Sequence, residues 1–203
     1  MSPDLLLSLA DRIGVFVFAI SGGVVAVRKE MDFLGVIVLA FLPAIGGGTL
    51  RDLLLDRPVF WLNDSVTLVL AVAGGLAAFF FYRFVSNFRA LRWPDAVGMA
   101  LFTVTGAATA MALGHGFLVV LIMGAVTASG GGLIRDVVAN EEPLVLKAGE
   151  LYATCALAGS LVYYLLMVYG PGETVAFAAG MATAFILRAS AILFGLSLPK
   201  AKG

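Results

Sequence analysis

The sequence predicts an all-α polytopic membrane protein: seven transmembrane helices, built as an inverted repeat of three plus three with a seventh helix appended, and with helices two and five broken at a Gly-Gly-Gly triplet. Three observations predict this. Of the 203 residues 61% are hydrophobic and only 13% are charged, with a mean hydropathy of +1.03, whereas about a quarter of a soluble domain is charged. The apolar residues gather in runs of about 20, the length that crosses a bilayer as helix. Finally, Gly46-Gly47-Gly48-Thr49-Leu50-Arg51-Asp52 returns 84 residues later as Gly130-Gly131-Gly132-Leu133-Ile134-Arg135-Asp136.

The first span, about 12–27, is kept as a membrane helix because Met1-Ser2-Pro3-Asp4 lacks the basic start of a secretory signal and no small-residue cleavage pattern follows. Its Gly14, Gly22 and Ala26 fall on one face, a pattern that lets membrane helices approach closely. The second span, about 33–55, carries Pro43 and the first glycine triplet, which falls near the bilayer midplane. Each glycine disfavours helix by about 1 kcal/mol relative to alanine and proline adds to this, so a break is expected. The third span, about 66–82, ends on Tyr82, which with Trp61 and Trp93 sits where aromatic belts form. The fourth, about 96–113, repeats the small face in Gly98, Gly106, Ala110 and Gly114, and His115 after it reads as an exposed loop residue. The fifth, about 117–139, carries the second triplet. Glu141, Glu142 and Glu150 follow as a solvated face at one mouth, able to concentrate cations. The sixth span, about 151–169, holds the single cysteine, Cys155, read as a buried structural thiol. The seventh, about 175–196, lies outside the duplication.

The motif is the sharpest part of a longer self-similarity. Pairing 11–52 with the residues 84 further on needs no gap and gives 14 identities in 42 positions, among them Asp11 with Asp95, Gly14 with Gly98, Phe18 with Phe102 and Gly22 with Gly106. The chain therefore reads as one membrane domain over 1–203, with repeat one at about 11–84, repeat two at about 95–170 and the extra helix at about 173–197. Three spans per repeat force the second copy into the membrane from the opposite side. In transport proteins of this construction the site lies near the axis relating the halves. Arg28, Lys29, Arg83, Arg89, Arg92, Lys147, Lys200 and Lys202 fall on one side against Arg12 and Arg57 on the other. The positive side is the cytoplasmic one, so the N-terminus is expected outside and the C-terminus in the cytoplasm.

A break at membrane depth is tolerated only where the freed backbone faces protein or a water-filled cavity. The backbone carbonyls of Gly46, Gly47, Gly130 and Gly131 are accordingly candidate ligands for a monovalent cation, K+ or Na+, with Gly48 and Gly132 completing the pathway. Arg51, Asp52, Arg135 and Asp136 follow within a turn. An ionisable group at the bilayer centre costs at least about 2.5–3.5 kcal/mol and so marks a pathway or a partner. Each arginine either gates that pathway or ties the two halves together by binding groups of the opposing repeat. Thr49, Thr127 and Ser129 offer hydroxyl oxygens to the path, or bond back to their own helices. A net charge of zero without a basic block gives no nucleic-acid surface. A single histidine, with no HExxH motif and no nucleophile elbow, excludes the usual enzyme classes and gives no cofactor site.

Seven spans, the inverted repeat and the paired GGGxxRD motifs resemble the bacterial branch of the trimeric intracellular cation (TRIC) channel family over nearly the whole chain. The resemblance implies a homotrimer in the plasma (inner) membrane of a bacterium or archaeon. In each protomer an hourglass pore lined by helices two and five would pass monovalent cations, chiefly potassium, with the motif residues as pore or gate elements. The lysine-bearing motif of the animal members, associated with lipid binding, has no match here. An alternative is a secondary transporter of a small solute such as glycine, since broken helices at an inverted-repeat interface serve both.

Overall fold

The computed structural model describes residues 3–85, 88–147, 150–170 and 172–198, which hold seven α-helices and no strand. They are α1 (Pro3–Arg28), α2 (Phe33–Leu54), α3 (Ser65–Val85), α4 (Phe88–Ala112), α5 (Phe117–Val138), α6 (Ala153–Tyr169) and α7 (Glu173–Phe194). Six are long and apolar enough to cross a membrane, and α6, with 17 residues, sits at the short end of that range. Of the basic residues counted for orientation, Lys200 and Lys202 lie outside the described residues, as do the side chains of Arg83 and Arg89.

The 84-residue offset recurs in the backbone. Helix α2 and its copy α5 have the same 22-residue length, and both end in the same way. Asp56 and Asn140 take left-handed conformations, with φ of 52° and 53°. Beyond them the amides of Arg57 and Glu141 each donate 2.8 Å back to the carbonyls of Asp52 and Asp136. This Schellman closure satisfies carbonyls that the helix ends would otherwise leave open. The turns after α1 and α4 match as well, Met31 donating to Ala26 and His115 to Ala110 at 3.1 Å.

Contacts between the repeats are reciprocal. A methyl group on Gly47 would collide with the carbonyl oxygen of Thr127, and one on Gly131 with that of Pro43, the position 84 residues earlier. Gly14 abuts the ring of Phe102 and Gly98 that of Phe18, and the two phenylalanines meet at 5.1 Å between ring centroids. When residue i meets the copy of j while j meets the copy of i, a two-fold axis passes between them. Along α2 and α5 the backbone contacts run in opposite directions, with Pro43 against Gly131 and, one turn on, Gly47 against Thr127. The helices therefore cross antiparallel, as an inverted pair must.

One expectation is corrected here. Helices α2 and α5 are not broken: α-helix runs unbroken through Pro43, Gly46–Gly48 and Gly130–Gly132. In hydrocarbon each backbone group released by a break costs several kcal/mol, more than the glycines forgo by staying helical. The glycines serve the crossing instead, because without Cβ atoms the two backbones come into direct contact. The Gly46, Gly47, Gly130 and Gly131 carbonyls thus point along continuous helices into the next turn rather than into a gap.

At the centre α2 packs on α5 and α1 on α4, while α3 flanks α1 and α2 and α6 flanks α5. Helix α7 lies against α6 and α4. The interior is small and apolar, with Val15, Ala19, Ala40, Ala44, Ala100 and Ala128 buried in one cluster. Leu34, Phe80, Leu118 and Phe194 project outward, as side chains facing lipid do.

Candidate functional site

The Arg-Asp pair closing each glycine motif is buried in a fixed arrangement. The Arg51 Nε donates 2.8 Å to Asp52 Oδ1, and its Nη1 lies 3.3 Å from both carboxylate oxygens of Asp11 on α1. Oδ2 of Asp52 accepts the Phe60 amide at 2.8 Å, pinning the segment after α2, and the Phe60 ring lies under the Arg51 guanidinium, 5.3 Å from its centroid. That ring edge also covers Gly48 so closely that a side chain there would strike it.

Repeat two reproduces the set. Arg135 Nε donates 2.8 Å to Asp136 Oδ1 and Nη1 donates 2.7 Å to Asp95 Oδ1 on α4. Asp136 Oδ2 accepts the Leu144 amide at 3.0 Å, 84 residues after Phe60. Arg135 Nη1 also donates to Ser21 Oγ on α1, a contact that crosses between the repeats. The arginines differ in setting. Asp11 is partly open, beside a polar recess of about 180 Å³ lined by Ser8, Asp11, Arg12, Phe60, Asp64 and Thr67. Asp95 and Arg135 are fully buried.

Two further expectations are corrected. The carboxylates that hold each arginine come from its own repeat, α1 for Arg51 and α4 for Arg135, not from the opposing one. The motifs also do not meet as a whole at the midplane. Gly47 and Gly131 are the fifteenth residues of their 22-residue helices and Arg51 and Arg135 the nineteenth, about 6 Å further along. Because the crossing is antiparallel, the glycines meet and the two charged clusters lie on opposite sides of that contact.

The hydroxyls of Thr49, Thr127 and Ser129 donate to the carbonyls of Ile45, Met123 and Ala125, four residues back, at 2.6–2.7 Å. Their lone pairs stay available, and one on Thr49 accepts Trp61 Nε1 at 2.9 Å, a role beyond the interfacial one expected of that tryptophan. Cys155 is buried, and its thiol donates to the Leu151 carbonyl. His115 is exposed. The three glutamates do not form one solvated face: Glu142 is exposed, Glu141 pairs with Lys29 at 3.4 Å, and Glu150 is nearly buried between Arg92 and Arg188, at 2.6 and 2.7 Å. Sequence reading missed Arg188, which is fully buried on α7 and stacks on the Tyr152 ring at 5.1 Å. A charged residue inside the seventh apolar run was the available signal. Among the described residues no cluster of His, Cys, Asp and Glu could hold a metal ion.

The chemical content of the site is a charge balance. Each guanidinium faces two carboxylates, so each cluster carries one formal negative charge in excess. Known proteins share this chain's construction. A family model described as a glycine transporter matches residues 8–83 and 92–168, which are the two repeats. The UPF0126 inner membrane protein YadS of Escherichia coli K12 is 40% identical over 196 residues, 93% of each chain, and a UPF0126 membrane protein of Vibrio cholerae is 39% identical over 201, covering 96% of this chain and 82% of its own. The TRIC trimeric intracellular cation channel orthologue from Rhodobacter sphaeroides superposes with a TM-score of 0.89 at 40% identity, over 94% of this chain and 98% of that one. The chain belongs to the bacterial TRIC family. A prokaryotic TRIC channel crystallised in 0.5 M KCl also matches, with a TM-score of 0.88 at 32% identity, over 96% and 99% of the two chains. The solved TRIC relatives are channels rather than enzymes.

Proposed function

We propose that this TRIC protein is a monovalent-cation channel, permeable to potassium, with one pathway per protomer running along α2 and α5 past the two Arg-Asp clusters. The observation that carries this reading is the pairing of each buried arginine with two aspartates. An arginine alone in a constriction would repel cations, whereas one outnumbered by carboxylates leaves a field that favours them. The pathway residues are Gly46–Gly48, Thr49, Arg51, Asp52, Ser129, Gly130–Gly132, Arg135 and Asp136. Any coordination of K+ or Na+ falls to the aspartate oxygens and the free lone pairs of Thr49 and Ser129 more readily than to helix carbonyls. By likeness to the trimeric relatives, the working unit is a homotrimer in an inner membrane, N-terminus outside.

The family model's description as a glycine transporter favours a second reading, uptake of a small zwitterion. Such a solute needs a cation for its carboxylate, and here each guanidinium is already held by two aspartates. Flux from purified protein in liposomes separates the two. Potassium conductance at channel rates, without any organic solute, is the expected result; saturable glycine uptake with no ionic current overturns it. On the channel reading, Arg51→Gln and Arg135→Gln raise cation conductance, since each adds an unbalanced negative charge.

A further inference from the structure

Both motif ends are covered by an aromatic ring stacked against an arginine, but the two rings occupy inequivalent positions in the repeat. In repeat one Phe60 covers Gly48 beneath Arg51 itself. In repeat two position 144, the copy of Phe60, is leucine, and the covering ring is Tyr152, whose counterpart in repeat one is Leu68. The Tyr152 hydroxyl donates 3.4 Å to the Ala128 carbonyl, one turn before Gly132. The point a side chain of Gly132 would fill lies 3.7 Å from the Tyr152 hydroxyl, from Arg135 Nη2 and from Asp95 Oδ1 alike. The tyrosine thus sits where the glycine leaves space beside the Asp95–Arg135 pair.

What holds Tyr152 there does not belong to the duplication. Arg188 of α7 stacks on its ring and is anchored 2.7 Å from Glu150, which Arg92 of α4 grips from the other side at 2.6 Å. Glu150 has only Val66 as its counterpart in repeat one, and Arg188 has no counterpart at all. Tyr152 is 2% exposed and Arg188 0%, so the clamp is internal and not a surface ion pair.

We propose that Tyr152 is the lid of the repeat-two constriction and that Arg188, acting through the Tyr152 ring, is the residue of α7 that positions it. The added helix then gives one end of the pathway a control that the other end lacks. The proposal rests on the channel reading above.

The test is single-channel recording of potassium current from purified protein in planar bilayers. Arg188→Gln and Tyr152→Leu each raise open probability about twofold to tenfold, the shift that loss of one cation–π contact of ordinary strength produces. Because Arg188 acts through Tyr152, the double variant is no more open than Tyr152→Leu alone, a non-additivity that two independent structural defects would not give. Tyr152→Phe keeps the stack but frees the Ala128 carbonyl, and falls between wild type and Tyr152→Leu. Unchanged gating in the single variants, or additive effects in the double, overturns the proposal. Should Arg188→Gln not fold, Tyr152→Leu and Tyr152→Phe decide it, and wild-type gating in both refutes the lid. A wild-type protein without potassium current defeats the channel reading itself, and with it the lid.

Discussion

Arg135 and Arg51 are copies of one residue, yet their surroundings give the same substitution different consequences. Arg135 and its partner Asp95 are completely enclosed at 2.7 Å, whereas Asp11 keeps 18% of its side chain open and stands 3.3 Å from Arg51. Asp136 still balances Arg135 once Asp95 is neutralised, so what Asp95→Asn loses is a fully buried charge-assisted hydrogen bond, about 1.5–3 kcal/mol, while a partly solvated pair is worth closer to 1 kcal/mol. Asp95→Asn should therefore lower the thermal unfolding midpoint in detergent well beyond Asp11→Asn. Equal shifts would mean that burial does not distinguish the two ends. The arginines were legible in the sequence because charge is conspicuous in an apolar run. Their partners were not, since Asp11 and Asp95 lie 40 residues before the arginines they hold and stood out only as one identity in the repeat.

At the scale of the element, the glycine triplets show propensity overruled by solvent. A helix penalty of about 1 kcal/mol per glycine is measured where water stands ready to take up released backbone groups; in hydrocarbon nothing does, and α2 and α5 stay continuous. The sequence located the right residues and misjudged their use, because the need for close approach becomes visible only once Gly47 faces the Thr127 carbonyl. Gly47→Ala and Gly131→Ala should each destabilise the crossing by about 1–3 kcal/mol, the usual penalty of overpacking, since the atom in the way is backbone and cannot swing aside. Gly116, the N-cap of α5, has nothing within 4 Å of its missing Cβ. Gly116→Ser, which adds a capping hydroxyl, should be neutral or slightly stabilising. Melting midpoints for the three variants check this; an innocuous Gly47→Ala would refute close approach as the reason for the triplet.

For the whole molecule, the inverted pair makes the two faces of the membrane nearly equivalent in backbone and unequal in chemistry. Repeat one turns the polar recess between Ser8 and Thr67 to one side; repeat two turns Tyr152, Glu150 and Arg188 to the other, sealed by α7. The duplication was readable because Asp, Gly and Phe recur in register. The inequality was not, because it comes from α7, which has no copy to be compared with. On the orientation proposed above, with the N-terminus outside, the recess would face outward and the sealed face the cytoplasm. Ser8, half-buried in the recess, and Glu142, exposed after α5, should then be reached from opposite sides. In a Cys155→Ala background, a membrane-impermeant thiol reagent applied to intact cells should label Ser8→Cys, while Glu142→Cys should react only after the membrane is opened. Labelling of Glu142→Cys in intact cells would reverse the orientation and place the Tyr152 lid on the outer face.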